Sequence, residues 1–460
     1  MEIPETRYAK STDGAHIAFQ TFGSGDRDLL VIKGNFSNLD GNWDIPEIAD
    51  MLRRLSAFAR VIAIDRRGMG LSDPLAPGTV EPLETHIDDV IAVMAAAHVD
   101  RACVFASENA APLAIALAAT HPDRVQALAL YAPLPTPLAT AAAEWEDIPA
   151  QERALLFTPE FWRNELDQKW GTGWAREEYE MFVPSHAGDE AAIGLWGRYV
   201  RSAASPGSAV AFIDHWLVTD VRRLYPSVQA PTLLLFRPHA RPATIMGRLV
   251  AEAAEAIADA HVTTLAGRDL PCWFGDRAQV TAELEEFFTG ASQRPDLAVD
   301  RILSTVLFTD FVGSTERAAE IGDTRWKDLV ESHHGLVRMA LAEHRGLEMD
   351  TAGDGFYAVF DGPARAIRCA RSIIGSVRNL GIQVRAGVHT GECEVIDGKY
   401  GGIAVATGAR IAAAASPSEI LVSQTVKDLV AGSGLGFEAR GSHELKGIPG
   451  RWQLYAVVAS

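Results

Sequence analysis

The chain has 460 residues, 42 Lys and Arg against 60 Asp and Glu, a formal net charge of −18, and 48% hydrophobic residues. That length exceeds one ordinary domain and predicts two or three, each with enough apolar material for its own core. The excess acid lies in the first 300 residues and the last 160 are close to neutral, which excludes a protein that coats nucleic acid, because such binding needs clustered Lys and Arg.

The N-terminal residues MEIPETRYAKSTDG contain no apolar run of the kind a secretory signal needs. The apolar runs Leu29–Lys33, Val61–Asp65, Ala102–Ala106, Ala127–Tyr131 and Thr232–Phe236 read as buried strands. Helical patterns over Ile45–Phe58, Thr85–Ala97 and Pro112–Thr120 separate several of them. Strands of this kind alternating with helices predict a parallel sheet in an α/β fold. Residues 135–225 break the alternation, read as helices and hold Trp145, Trp162, Trp170, Trp174, Trp196 and Trp216; they predict a helical cap over the sheet, with the possibility of a small-molecule ligand beneath it. Tryptophans at helical spacing serve packing more often than pockets.

A helix over Val280–Phe288 closes the first domain, residues 1–290. The polar, Pro-containing stretch 291–300 is the expected linker. From 301 to 460 the order is strand Ile302–Phe308, helix Thr315–His344, hairpin Leu347–Phe360, helix Pro363–Leu380, strand Val384–His389, a short strand, helix Ile403–Ala415 and further strands. That is a ferredoxin-like βαββαβ pattern with additions. Cys103, Cys272, Cys369 and Cys393 form no CxxC and have no His at zinc spacing, so neither a disulfide framework nor structural zinc is expected. No apolar stretch approaches the roughly 20 residues of a membrane helix, and the expectation is a cytoplasmic protein without membrane insertion.

In the first domain the runs Val31-Ile-Lys-Gly34, Asp65-Arg-Arg-Gly-Met-Gly-Leu-Ser-Asp73 and Ala106-Ser-Glu-Asn-Ala110 precede a helix ending Ala-Thr-His121-Pro-Asp-Arg-Val. On these motifs residues 5–290 resemble an α/β-hydrolase. That chemistry needs a nucleophilic Ser on a strand–turn–helix elbow, followed in the chain by an acid and a His. Here Glu108 stands at the nucleophile position, Ala240 at the acid and Leu270 at the His. A slide by one residue would place Ser107 at the elbow, flanked by Phe105 and Asn109, which suit a tight turn worse. Without a His to activate water a covalent intermediate could not turn over. The expectation is a hydrolase shape without its catalysis, and an esterase reading is set aside.

The second domain delivers Asp310 at the end of an apolar strand and Asp354 in a hairpin turn. Paired carboxylates at neighbouring strand ends suit two divalent cations. Gly313, Ser314 and Thr315 then open a helix whose N–H groups suit a polyphosphate. The runs Phe308-Thr-Asp-Phe-Val-Gly-Ser-Thr315, Ala352-Gly-Asp-Gly355, Val384-Arg-Ala-Gly-Val-His-Thr-Gly-Glu392, Gly401-Gly-Ile-Ala-Val405 and Glu444-Leu-Lys-Gly447 are similar to those of class III nucleotidyl cyclases. With the domain in front, the chain resembles the mycobacterial and actinobacterial adenylyl cyclases that carry an α/β-hydrolase domain.

The resemblance implies that Asp310, Asp354 and the Phe311 carbonyl hold two Mg²⁺ or Mn²⁺ ions. It implies that Arg385 and Lys446 grip the triphosphate of ATP and that Arg410 stabilises transition-state charge. It also implies a head-to-tail homodimer with residues of two chains in each site. Three positions depart from the family's pattern. Asp350 stands where a base-reading Lys is usual and Lys399 where an Asp is usual, a swapped pair that could read adenine or form a surface ion pair. Ala406 replaces an Asn that orients the ribose. An adenylate cyclase with a regulatory pseudo-hydrolase domain is the leading expectation; a nucleotide-binding pseudo-cyclase without turnover is the alternative.

Overall fold

The computed structural model divides the chain into two units, residues 1–297 and 298–460. It describes residues 3–75, 80–153, 159–170, 173–291, 301–352, 355–396 and 399–458.

Eight strands build the sheet of the first unit: β1 (Thr6–Lys10), β2 (His16–Phe22), β3 (Asp28–Ile32), β4 (Arg60–Ile64), β5 (Ala102–Ser107), β6 (Val125–Tyr131), β7 (Thr232–Phe236) and β8 (Ala260–Thr264). Their order is β1-β2-β4-β3-β5-β6-β7-β8. From β4 to β8 every pairing is parallel. The pairs β1–β2 and β2–β4 are antiparallel, so the expected parallel sheet is extended into a mixed one. Strands β5 and β7 are buried at every position, with helices on both faces, which is why they read as unbroken apolar runs. Strands β1 and β8 lie at the edges with most positions partly or fully exposed, and they left little apolar signal.

Between β6 and β7 stand the cap helices, among them Leu138–Ala143, Pro159–Lys169, Gly173–Phe182, Glu190–Ala203 and Pro206–Val218. Asp189 and Ser205 cap the last two by accepting from N–H groups of the first turn. Trp170, Trp196 and Trp216 are buried in the cap.

The sheet of the second unit contains β9 (Arg301–Phe311), β10 (Leu347–Ala352), β11 (Gly355–Phe360), β12 (Val384–Ile396), β13 (Lys399–Gly401), β14 (Ile420–Ser423), β15 (Gly436–Glu444) and β16 (Arg451–Val458). The order is β10-β11-β9-β12-β14-β16-β15, with β13 paired to β12. Its first four strands, with β9 between β11 and β12, have the ferredoxin-like arrangement. Helices Asp323–Glu343 and Pro363–Val377 cover one face, burying Val337, Leu341, Ile367 and Ile373 against Leu307, Phe356 and Val388. Helix Ile403–Ala414 covers the other. It lies so close that a Cβ on Gly387 would stand 2.1 Å from the Ala412 nitrogen, and one on Gly408 would stand 2.5 Å from Val306 Cγ2.

Two expectations are corrected. The single helix Thr315–His344 is two, Ser314–Ile321 and Asp323–Glu343. Gly322 separates them at φ +78°, a conformation that costs a glycine little and ends the first helix. The strand beginning at Val384 runs on to Ile396, because β9 pairs with it as far as Glu394 and β13 pairs with its last residues. Among the described residues no helix is long and apolar enough to cross a membrane.

Candidate functional site

Asp310 is the penultimate residue of β9, and antiparallel register sets Arg385 of β12 directly opposite it. Arg385 donates from Nε at 3.1 Å and from Nη2 at 2.6 Å to Asp310 Oδ2, and from Nη1 at 3.1 Å to the Ala413 carbonyl. One guanidinium thus ties together β9, β12 and the end of helix Ile403–Ala414. The Asp310 side chain keeps 41% of its surface exposed, so the carboxylate sits at a rim that a ligand can reach. Strand alternation turns the next side chain inward. Phe311 is buried 5.4 Å from the Trp326 ring and 5.0 Å from that of His333, which leaves its main-chain carbonyl as the group it could offer a metal. Gly313, at φ +71°, then swings the chain into helix Ser314–Ile321.

A second pair forms on the neighbouring surface. Arg410 is exposed on helix Ile403–Ala414 and donates from Nε to the Lys446 carbonyl at 3.1 Å. Lys446 is itself exposed, but Leu445 before it is buried with Ile411, Leu421 and Leu454, which fixes the turn between β15 and β16. Ala406 is exposed one turn before Arg410. Asp350 is exposed beside a bulge in β10 and accepts from the Thr351 N–H at 2.9 Å. Lys399 opens β13 opposite Ile396. The side chains of Lys399 and Thr315 lie outside the described residues, and so does Asp354.

The structure therefore joins Asp310 to Arg385 and Arg410 to Lys446. No hydrogen bond or ion pair among the described residues links one pair to the other. Among those residues no group of three or more His, Cys, Asp or Glu stands together to hold a metal ion. The donors present, the Asp310 carboxylate and the Phe311 carbonyl, are hard oxygens of the kind Mg²⁺ and Mn²⁺ prefer.

In the first unit Glu108 occupies the elbow between β5 and helix Ala111–Thr120, at φ +46° and 1% exposed. A strained residue at that point is what a sharp strand-to-helix turn imposes. Ser107 is the last residue of the extended strand, and its hydroxyl accepts from the Gly34 N–H at 2.9 Å, so the one-residue slide is not what this backbone does. Ala240 and Leu270, expected at the acid and His positions, are both buried.

Three residues the sequence reading passed over shape this place. Arg237, 1% exposed, donates to the carbonyls of Asp269, Pro271 and Phe274 and fastens the loop that carries Leu270. Lys33 is buried, donates to the Phe36 carbonyl and the Tyr199 hydroxyl, and lies 4.3 Å from the centre of the Tyr199 ring. Burial pulls its ammonium down to about 8. Glu178 accepts from the Trp196 indole at 3.1 Å. The signal for Lys33 was a lysine closing an apolar run; Glu178 had none.

In the second unit a ferredoxin-like sheet carries a carboxylate and a guanidinium at its rim, and in the first a parallel sheet carries a strand-to-helix elbow, features of a nucleotide-cyclase unit and of a hydrolase scaffold. The comparisons agree. Residues 300–459 match the family model described as the adenylate and guanylate cyclase catalytic domain, and residues 29–235 match the alpha/beta hydrolase fold. An uncharacterized protein of Rhizobium meliloti (strain 1021) is 31% identical over 170 residues, 32% of this chain and 16% of that one. A second protein of that organism, provisionally named adenylate cyclase 3, is 29% identical over 167 residues, 33% of this chain and 27% of its own. The matched region thus spans less than a third of either relative. The enol-lactonase of Burkholderia xenovorans LB400 superposes on 62% of this chain and 100% of its own with a TM-score of 0.50 at 18% identity, a likeness of fold alone. The chain carries an α/β-hydrolase-fold domain followed by a class III adenylate/guanylate cyclase catalytic domain.

Proposed function

We propose that this chain is a cytoplasmic adenylate cyclase, converting ATP to 3′,5′-cyclic AMP and pyrophosphate in its second unit, and that the first unit regulates without hydrolysing. The observation that carries the reading is the Asp310 carboxylate at the exposed rim of β9, held by Arg385 across the register, inside a domain matched by the cyclase model.

Two divalent cations, Mg²⁺ or Mn²⁺, held by Asp310, the Phe311 carbonyl and Asp354, would acidify the ribose 3′-hydroxyl and neutralise charge on the leaving pyrophosphate. The chain's own residues divide the remaining work. Arg385 and Lys446 bind the triphosphate. Gly313, Ser314 and Thr315 present N–H groups at a helix start, where backbone dipoles favour anions. Arg410 stabilises the charge that develops on the α-phosphate, an interaction stronger in the transition state than in the bound substrate. Asp350 accepts from the adenine amino group and Lys399 donates to a ring nitrogen, the usual polarity exchanged between the two positions. A homodimer completes each site from two protomers.

The test is product analysis with purified chain. Mn-ATP should yield 3′,5′-cyclic AMP and pyrophosphate in equal amounts, faster than Mn-GTP yields its own cyclic product. Nucleotide binding without product would replace this reading with a sensor that does not turn over.

A further inference from the structure

Arg385 has more to bind than its guanidinium can hold at once. In the proposed reaction it grips a triphosphate, yet within the chain it is already committed. Its Nε and Nη2 donate to Asp310 Oδ2 at 3.1 and 2.6 Å, and its Nη1 donates to the Ala413 carbonyl at 3.1 Å. A guanidinium carries five N–H groups in a rigid fork, so these bonds leave one on Nη1 and one on Nη2. Both bonds to Asp310 end on Oδ2, and among the described residues no hydrogen bond reaches Oδ1. The pair is open to solvent, with 31% of the Arg385 side chain and 41% of the Asp310 side chain exposed, so ions and phosphates can reach both.

A cation in contact with a carboxylate weakens that carboxylate's attraction for a divalent ion, and the solvent at the rim reduces the effect without removing it. The converse holds for the arginine. The Nε and Nη2 edge that faces Asp310 is the edge that binds phosphate oxygens in pairs, and the carboxylate on it repels a triphosphate. Each ligand therefore competes with one member of the pair. Antiparallel register sets the two backbones opposite each other, so both side chains stay in reach of the same place whichever contact is made.

We propose that Arg385 exchanges partners: in the free protein it is the counter-ion of Asp310 and holds its metal affinity down, and a bound triphosphate takes the guanidinium and leaves Asp310 to the metal. The inference rests on the cyclase reading for the identity of both ligands. It couples them, because whatever breaks the ion pair from one side favours the ligand on the other, by the same factor in each direction. Toward the metal Arg385 is a positioning residue that acts through Asp310; toward the triphosphate it is a direct contact.

The experiment uses the full chain and two readouts that need no turnover. Mn²⁺ binding to the nucleotide-free protein is followed by electron paramagnetic resonance. Binding of α,β-methylene-ATP, which cannot cyclise, is followed by calorimetry in EDTA. Arg385→Gln should bind Mn²⁺ at least fivefold more tightly than the parent chain, and Asp310→Asn should lose that binding. In EDTA Asp310→Asn should bind the analogue at least fivefold more tightly than the parent chain. That gain should vanish when Arg385→Gln is added, whereas a gain from lost carboxylate charge alone would persist. The Asp310→Asn measurements stand by themselves if Arg385→Gln fails to fold. Equal or weaker Mn²⁺ binding in Arg385→Gln, Mn²⁺ binding that survives Asp310→Asn, no gain for the analogue, or a gain that persists in the double variant would overturn the exchange. The cyclase reading fails separately, when the parent chain releases no cyclic nucleotide whatever these affinities are.

Discussion

At the scale of single residues, Asp310 and Ala406 carry opposite expectations. Asp310 is reachable from solvent, and its carboxylate is paired with Arg385. Asp310→Ala should leave the domain folded and reduce cyclase turnover more than about a thousandfold, roughly 4 kcal/mol of barrier. Melting temperature and steady-state rate measured together decide it, and near-normal turnover at saturating metal would remove Asp310 from the site. Ala406 is exposed one helical turn before Arg410, so an Asn there has room toward solvent. If it orients the ribose, Ala406→Asn should raise kcat about tenfold to a hundredfold, about 1.4–2.7 kcal/mol, with little change in KM. An unchanged kcat would mean that the ribose is positioned by other groups.

At the scale of elements, the placement of Arg410 depends on how helix Ile403–Ala414 rests on β12. Gly387 makes that contact possible, since any side chain there meets the Ala412 backbone at 2.1 Å. Backbone cannot swing aside as a side-chain end can, so the helix must lift. Gly387→Ala should cost about 1–3 kcal/mol of domain stability and lower kcat at least tenfold by displacing Arg410. The control is Gly375→Ala in helix Pro363–Val377, where nothing stands within 4 Å of the added Cβ. Alanine there should be neutral or stabilising by about 0.5–1 kcal/mol. Equal effects of the two substitutions, read by thermal melts and rates, would refute the close-contact argument. The same logic explains why the helix break at Gly322 was missed: Thr315–His344 keeps an amphipathic pattern across it, and a single positive φ leaves no mark on periodicity.

At the scale of the whole molecule, the two units should answer acid differently. In the second unit burial pulls His333 and His389 down to about 4 from an ordinary 6.5. The folded unit keeps both neutral while the unfolded chain takes up protons below 6.5. Their stability contribution is therefore present above about pH 6.5 and is lost as pH falls toward 4. In the first unit His86 and His215 behave the same way. There Glu108 and Glu178 work against them, since carboxyls raised to about 7 cost stability as pH rises from 4.5 to 7 and restore it on acidification. Scanning calorimetry at pH 7.5 and pH 5 should show the second unit's transition falling further than the first's; the reverse order would contradict these burial effects. The first unit should also fail to react with a fluorophosphonate and to hydrolyse a short-chain ester. Stoichiometric labelling of Ser107 would show that the elbow is read wrongly.

The sequence by itself determined the apolar runs of β3 to β7, the ferredoxin-like order of the second unit, and the motifs that carry Asp310, Arg385, Arg410 and Lys446. All of these are local patterns, and buried strands and turn residues write themselves into short windows of chain. What only the tertiary structure decided are relations between distant residues. Register alone puts Arg385 on Asp310, 75 positions apart, and the β15–β16 turn brings the Lys446 carbonyl to Arg410, 36 positions apart. The φ of +46° at Glu108 distinguishes the elbow from its neighbour Ser107, a difference of backbone that residue types do not encode. Glu178 comes from a cap helix to line the same pocket as Glu108, with no motif to announce it, because what brings two carboxyls together there is the packing of helix on sheet.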